Sequence, residues 1–271
     1  MYKIVVCDLD ETLIGTDRTI SEKNRKAIAR LKDFGIKFVP SSGRNFISID
    51  SNLKDLGLCG EENEYVISFN GGAITENKNH KLLHFEGISF ELASELYKRG
   101  MNYDVCTHVY TKDMVYAYNL FQAEIDYLAG RMEIKEIFDK NIDFLKGQDI
   151  VKCLYTNTDR EYLQKIAEDL KDITDGIDVS YSANRYLEFN KRGVNKGEGL
   201  KKLAEILNVD IKDTIAIGDN FNDLSMIKVA GLGVFVANAV EDIKKYGDYV
   251  CENDCDHDAV AEVLEKFIFN A

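Results

Sequence analysis

The stretch Lys3-Ile-Val-Val-Cys-Asp-Leu-Asp-Glu-Thr-Leu13 decides how the chain is read. Ile4 to Cys7 is a short, largely β-branched apolar run, the pattern of a strand covered on both faces. It leads straight into two carboxylates, Asp8 and Asp10. Side chains alternate faces along a strand, so both carboxylates point the same way where the strand ends. Two like charges that close repel unless something positive lies between them. A hard divalent cation suits that position, and Mg²⁺ takes one or two carboxylates together with substrate phosphate. The simpler alternative is an acidic loop. The chain holds 47 Asp and Glu, and Asp254-Cys-Asp256 and Asp256-His-Asp258 repeat the spacing where no strand is expected.

Outward from that stretch the chain alternates strand and helix. Ser21 is a good N-cap for a helix predicted to run through about Phe34, which Gly35 ends. Ile36–Val39 reads as a second strand, closed by Pro40-Ser41-Ser42-Gly43-Arg44. A helix is expected from about Asn45 to Leu56, and Tyr65–Phe69 is a third strand ending in Asn70-Gly71-Gly72. This order is the signature of a parallel sheet with right-handed crossovers. The rhythm returns late in the chain, with a helix over Lys196–Leu207, a strand over Thr214–Ile217 and the turn Gly218-Asp219-Asn220. A helix to about Val229 follows, then the strand Gly233–Val236, a helix near Val240–Lys245, the strand Asp248–Val250 and a helix over Ala259–Ile268. Between about 85 and 186 the texture changes. Helical stretches (Ser89–Arg99, Arg160–Leu170) alternate there with strand-like ones (Val109–Tyr118, Ile150–Thr156, Val179–Ser182), and tyrosines concentrate. Val115–Tyr118 is expected to pair with Val109–Tyr110. The region reads as an α+β insertion into the first sheet.

Bulk properties narrow the partners. The 271 residues are enough for one large or two smaller domains, and 45% hydrophobic with 30% charged residues describe a globular protein. A net charge of −13 argues against nucleic acid or an anionic membrane surface as partner. No apolar stretch approaches a membrane span and no secretory signal pattern is seen, so the expected location is the cytoplasm. Cysteines 7, 59, 106, 153, 251 and 255 are scattered without a C-x-x-C, and Cys7 is expected to be a small core hydrophobe. Cys251 and Cys255 beside His257 lack a fourth ligand and read as surface-loop thiols. His80 and His84 fall in a turn and strand, where that spacing separates them by roughly 13 Å, so no histidine metal site is expected.

The polar clusters Asp8/Asp10, Ser42, Asn70 and Asp219/Asn222/Asp223 each lie just after a predicted core strand. Ligands of open α/β sheets bind outside the carboxyl ends of the strands, so these clusters converge. Ser42-Gly43-Arg44 reads either as a phosphate cradle or as a simple N-cap with a turn glycine. The Asp219–Asp223 turn carries more carboxylate and amide groups than capping requires, and a metal site explains the surplus. Lys196 opens a helix, where a cation is mildly unfavourable, and between two acidic clusters it becomes the expected counter-charge.

Asp8-Leu9-Asp10-x-Thr12, then Ser42, then Lys196, then Gly218-Asp219-x-x-Asn222-Asp223 resemble, in order, the four motifs of the haloacid dehalogenase (HAD) superfamily phosphatases. Ser42-Gly43-Arg44, Asn70-Gly71-Gly72-Ala73, Leu187-Glu188, Gly193-Val194-Asn195-Lys196-Gly197 and Ala237-Asn238-Ala239 look like its Cof-type branch, which has a subclass IIB cap. The resemblance implies a doubly wound, parallel-sheet α/β core from residues 1–84 and 187–271, with an inserted α+β cap at 85–186 that sets substrate specificity. It implies Asp8 as the nucleophile and Asp10 as general acid and base. Ser42, Gly43, Lys196 and Asn222 would contact the substrate phosphate. Mg²⁺ would be held by Asp8, the Asp10 carbonyl and Asp219, with Asn222 or Asp223 completing the shell. Two departures stand out: Glu11 occupies a position where that branch usually has Gly, and Ser stands in the S-G-R string where Thr is usual.

The expected activity is Mg²⁺-dependent hydrolysis of a small phosphorylated metabolite (a sugar phosphate, nucleotide or cofactor phosphate) through an aspartyl-phosphate. A phosphomutase is the alternative enzyme, although the insertion shows no Arg and Lys cluster for a second phosphate. A receiver-like phosphosensor is the alternative outside enzymes, and it has no use for a proton shuttle at Asp10.

Overall fold

The computed structural model describes residues 1–129, 133–182 and 184–270. In chain order the first part holds β1 (Ile4–Cys7), α1 (Glu22–Arg30), β2 (Lys37–Pro40), α2 (Asp50–Asp55), β3 (Tyr65–Ser68), β4 (Ala73–Glu76) and β5 (Lys81–Phe85). Then come α3 (Phe90–Gly100), β6 (Cys106–Thr111), β7 (Val115–Tyr118), α4 (Gln122–Leu128), β8 (Ile134–Glu136), β9 (Ile150–Thr156), α5 (Arg160–Asp169), α6 (Lys171–Thr174), β10 (Ile177–Ser182) and β11 (Tyr186–Lys191). The last part holds α7 (Lys196–Ile206), β12 (Thr214–Gly218), α8 (Leu224–Val229), β13 (Leu232–Phe235), α9 (Glu241–Lys244), β14 (Tyr249–Val250) and α10 (Ala259–Leu264). The chain divides into two units, Met1–Phe85 with Val194–Ala271, and Glu86–Gly193.

The first unit is built on a parallel sheet in the order β14-β13-β12-β1-β2. All four residues of β1 are buried, as a strand packed on both faces requires. Chain order runs outward from β1 to β2 on one side and through β12, β13 and β14 on the other. The switch point is therefore between β1 and β12, where a crevice opens at the carboxyl ends. Cys7 is in register with Ile217, so Asp8 and Asp219 leave the sheet side by side. A bridge from Ser41 to Ile67 brings the end of β3 alongside β2, and β3, β4 and β5 form an antiparallel sheet of their own. Ile4, Val6, Val39, Ile67, Leu200, Leu203 and Phe235 share one core. Ser21 caps α1 by accepting from Asn24 N.

The second unit is a six-stranded sheet in the order β10-β11-β9-β6-β7-β8, antiparallel except for the β7–β8 pair. Val109 pairs with Tyr116 and Tyr110 with Val115, as their alternating pattern predicts. Tyr97, Val109, Tyr155, Leu163 and Phe189 fill its core.

Three features differ from the sequence reading. Residues 187–193 belong to the second unit, because β11 pairs with both β9 and β10 and buries Leu187 and Phe189 in that unit's core. The passage after Arg44 is a 3₁₀ turn over Phe46–Ile49 and α2 starts only at Asp50, so Ser42 does not sit at a helix N-terminus. Cys251 and Cys255 are buried, and that burial pushes their thiols up to about 12 and about 11. They pack like small hydrophobes.

Candidate active site

The site grows from the two central strand ends. Asp8 N–H still donates to Ile217 O at 2.9 Å, so the nucleophile candidate is fixed by sheet pairing up to its own backbone. Beyond it the chain turns sharply: the amides of Thr12, Leu13 and Ile14 converge on Leu9 O. Glu11 takes φ 60°, a left-handed conformation that costs a non-glycine residue about 1 kcal/mol. That explains why the branch resembled here favours glycine at this position. The turn is fastened from outside. Asn238 Nδ2 donates to Glu11 O at 2.7 Å, while its Oδ1 accepts from Cys255 N at 3.0 Å. The Ala237-Asn238-Ala239 string thus clamps the loop that carries Asp10.

The second wall is the turn after β12. Gly218 lies against the Asp223 side chain, where a Cβ would come within 2.5 Å of Asp223 Cβ, so only glycine lets that carboxylate fold back. Asp223 Oδ2 accepts from the amides of Asp219 and Asn220, both at 3.0 Å, and its Oδ1 accepts from Lys196 Nζ at 2.6 Å. Asp219 Oδ1 accepts from Thr12 Oγ1 at 2.7 Å. Lys196, the first residue of α7, is fully buried and also donates to Asp8 Oδ1. Gly71 supports α7 from behind, with φ 100° and no room for a Cβ against Asn195 O.

Asp8, Asp219 and Asp223 offer carboxylate oxygens that all lie within 4.8 Å of one another. One ammonium among three buried carboxylates leaves the cluster short of positive charge. Burial pushes the Asp8 carboxyl up to about 8 against the pull of Lys196, and Asp223 adds to the rise. Burial likewise raises Asp219 to about 6, opposed by the Thr12 hydroxyl. For Lys196, burial alone would lower the ammonium, but Asp8 and Asp223 outweigh it and hold it above its usual value.

These directions carry a stability prediction. The cation-free folded protein keeps a proton on Asp8 from about pH 4 to about pH 8, and one on Asp219 from about pH 4 to about pH 6, that the unfolded chain has released. The stabilisation is therefore present at low pH and lost as pH rises. Thermal unfolding in EDTA should show Tm falling from about pH 5.5 to about pH 8.5, with a shallower fall in Asp8→Asn. An unchanged slope in that variant would remove Asp8 as the source.

The third wall is the Ser42-Gly43-Arg44 loop. Ser42 N donates to Ile67 O and Ser42 O accepts from Asn70 N, both at 2.9 Å, and Ser42 Oγ accepts from Arg44 N at 3.1 Å. Together the three walls enclose an open cleft of about 310 Å³, onto which Asp8, Asp10, Ser42, Gly43, Asp219 and Asn222 all face. Lys196 lies beneath it. The Asp10 carboxylate stands apart from the three buried ones, half-exposed and bound to Arg44. Asn222 Nδ2 turns to Asn70 Oδ1 at 3.4 Å. Thr12 and Arg44 belong to motifs visible in the sequence, yet their partners, Asp219 and Asp10, are 207 and 34 residues away.

Residues 5–264 match the haloacid dehalogenase-like hydrolase family. The chain belongs to that family. A crystal structure of a haloacid dehalogenase-like hydrolase from Bacteroides thetaiotaomicron is similar to it, with a TM-score of 0.88 and 31% identity, covering 99% of this chain and 100% of the other. The phosphatase YwpJ of Bacillus subtilis (strain 168) is 29% identical, covering 98% of this chain and 100% of its own. The 5-amino-6-(5-phospho-D-ribitylamino)uracil phosphatase YcsE of the same organism is also 29% identical, over 98% and 96%. The chain is thus an HAD-type hydrolase that groups with phosphatases, and the α/β fold expected from the motif order is the fold of the family.

Proposed function

We propose that this HAD hydrolase is a Mg²⁺-dependent phosphatase that cleaves a small phosphorylated metabolite through an aspartyl-phosphate. The observation that carries the reading is the buried Asp8–Lys196–Asp223 chain opening onto a cleft that also presents Asp10 and Ser42. Asp8 attacks phosphorus as the bond to the leaving oxygen breaks, and Asp10 delivers a proton to that oxygen. Asp10 then takes a proton from the water that attacks the aspartyl-phosphate, releasing phosphate and restoring Asp8. Lys196, Ser42 and the Gly43 amide hold the transferring phosphoryl oxygens, and Asn222 closes that side.

The donor set suits Mg²⁺: three buried carboxylates, all hard oxygen, with too little positive charge among them. Asp8, Asp219 and Asp223 would hold the ion together with the Asp10 main-chain carbonyl. When bound, it neutralises the carboxylates and polarises the phosphoryl group. Release of phosphate from p-nitrophenyl phosphate tests the reading. Activity should vanish in excess EDTA and return with Mg²⁺. Full turnover in excess chelator would overturn the metal requirement, and no release with Mg²⁺ present would favour the phosphosensor.

The 86–193 unit is proposed to read the leaving group, in line with the insertion's position between the second and third motifs. The ribitylamino-uracil phosphatase among the relatives makes a sugar or polyol phosphate the first class to screen. A cytoplasmic location is proposed on the six free cysteines, which suit a reducing compartment. Among the described residues no helix is long and apolar enough to cross a membrane.

A further inference from the structure

We infer that Arg44 is a positioning residue for Asp10, setting the carboxylate that serves the leaving group; the inference rests on the acid–base reading of Asp10 proposed above. Arg44 Nε donates to Asp10 Oδ2 at 2.9 Å and Nη2 donates to Oδ1, so one planar guanidinium holds both oxygens. Among the described residues these are the only side-chain bonds that the Asp10 carboxylate makes. Asp8 is gripped by Lys196 and Asp219 by Thr12, whereas the Asp10 side chain is 54% exposed and has no such packing to hold its rotamer.

Arg44 can act as a rigid support because its own backbone is tied on both sides. Its N–H donates to Ser42 Oγ at 3.1 Å and its C=O accepts from Phe69 N at 3.1 Å. Ser42 is in turn fixed to Ile67 and Asn70 by main-chain bonds. The fork therefore transmits the geometry of the β2–β3 edge to a side chain carried on the β1 loop. Those two elements meet at the cleft but share no sheet pairing at that point. A carboxylate on an exposed loop that lost this support would sample several rotamers. Misplacement of a reacting group by about 1 Å costs on the order of 10²-fold in rate.

The test is kinetic. Arg44→Ala should lower kcat by about 10- to 100-fold on an alkyl phosphate such as glycerol phosphate, whose leaving oxygen needs the proton. The loss should be much smaller on p-nitrophenyl phosphate, whose leaving group needs little protonation, and KM should change little on either. Arg44→Lys should recover only part of the loss, because an ammonium cannot grip both oxygens, while added guanidinium ion should rescue Arg44→Ala. In an Asp10→Asn background, Arg44→Ala should bring no further loss. An equal loss on both substrates, a raised KM with unchanged kcat, or additive losses in the double variant would each overturn the positioning role while leaving the phosphatase reading intact. Asp10→Asn turning over at the wild-type rate would overturn the acid–base reading itself, and this inference with it.

Discussion

Exchanging Asp8 for asparagine should abolish turnover. The amide is nearly isosteric but is no nucleophile, so no phosphoenzyme can form. The loss should be on the order of 10⁴-fold or more, the scale seen when the residue that makes the covalent intermediate is removed. Unfolding cannot be the cause if the charge reading of the site is right. Asp8 is one of three buried carboxylates sharing one ammonium, so its neutralisation relieves repulsion and should leave Tm in EDTA at pH 8 unchanged or higher. Denaturing the protein during turnover should trap acid-stable, hydroxylamine-labile phosphate on Asp10→Asn, where attack by water is slowed, and none on Asp8→Asn. Wild-type turnover by Asp8→Asn would sink the nucleophile assignment, and trapped phosphate on that variant would relocate the acceptor.

Lys196→Met should produce the second large effect, and in stability as well as rate. The ammonium is completely buried and bonded to Asp8 and Asp223 at once. Removing one partner of a buried ion pair leaves uncompensated charge, which costs about 3–5 kcal/mol. Protonation of Asp8, whose carboxyl burial already pushes up to about 8, would absorb part of that penalty, so the destabilisation should be greater at pH 8 than at pH 5.5, and Mg²⁺ should recover some of it. The rate should fall by about 10²–10³-fold, the typical result of deleting one preorganised charge at a developing oxyanion. Thermal unfolding and phosphate release on the same preparation separate the two losses. A Lys196→Met protein with wild-type Tm and kcat would show that the Asp8–Asp223 pair needs no counter-charge.

The candidate site was legible wherever the signal was local. A β-branched run that stops at an aspartate, or at Gly218-Asp219, is a strand end with its polar cargo, and each such run became a strand. The convergence of those ends also followed, because parallel strands place all their carboxyl ends on one edge. Other features had no local signal. Nothing near Arg44 names Asp10 as its partner, and nothing near Thr12 names Asp219. The left-handed turn at Glu11 is hidden too, since a glutamate gives no hint of a positive φ until Asn238 is seen holding its carbonyl. Leu187-Glu188 resembled the returning core, but its strand pairs in the other unit.

By itself, then, the sequence located the five strands of the parallel sheet to within a residue or two and the carboxylates, hydroxyl and lysine near their ends, because period, capping and turn chemistry act over a few residues, whereas β4, β8 and β11 carried no strand reading. Tertiary structure alone decided who touches whom. It placed β12 rather than β3 beside β1, folded Asp223 over Gly218 to meet Lys196, buried Cys251 and Cys255, and laid the fork of Arg44 on Asp10. Those contacts join residues tens to hundreds of positions apart, and their choice depends on strand order, which no short stretch of chain encodes.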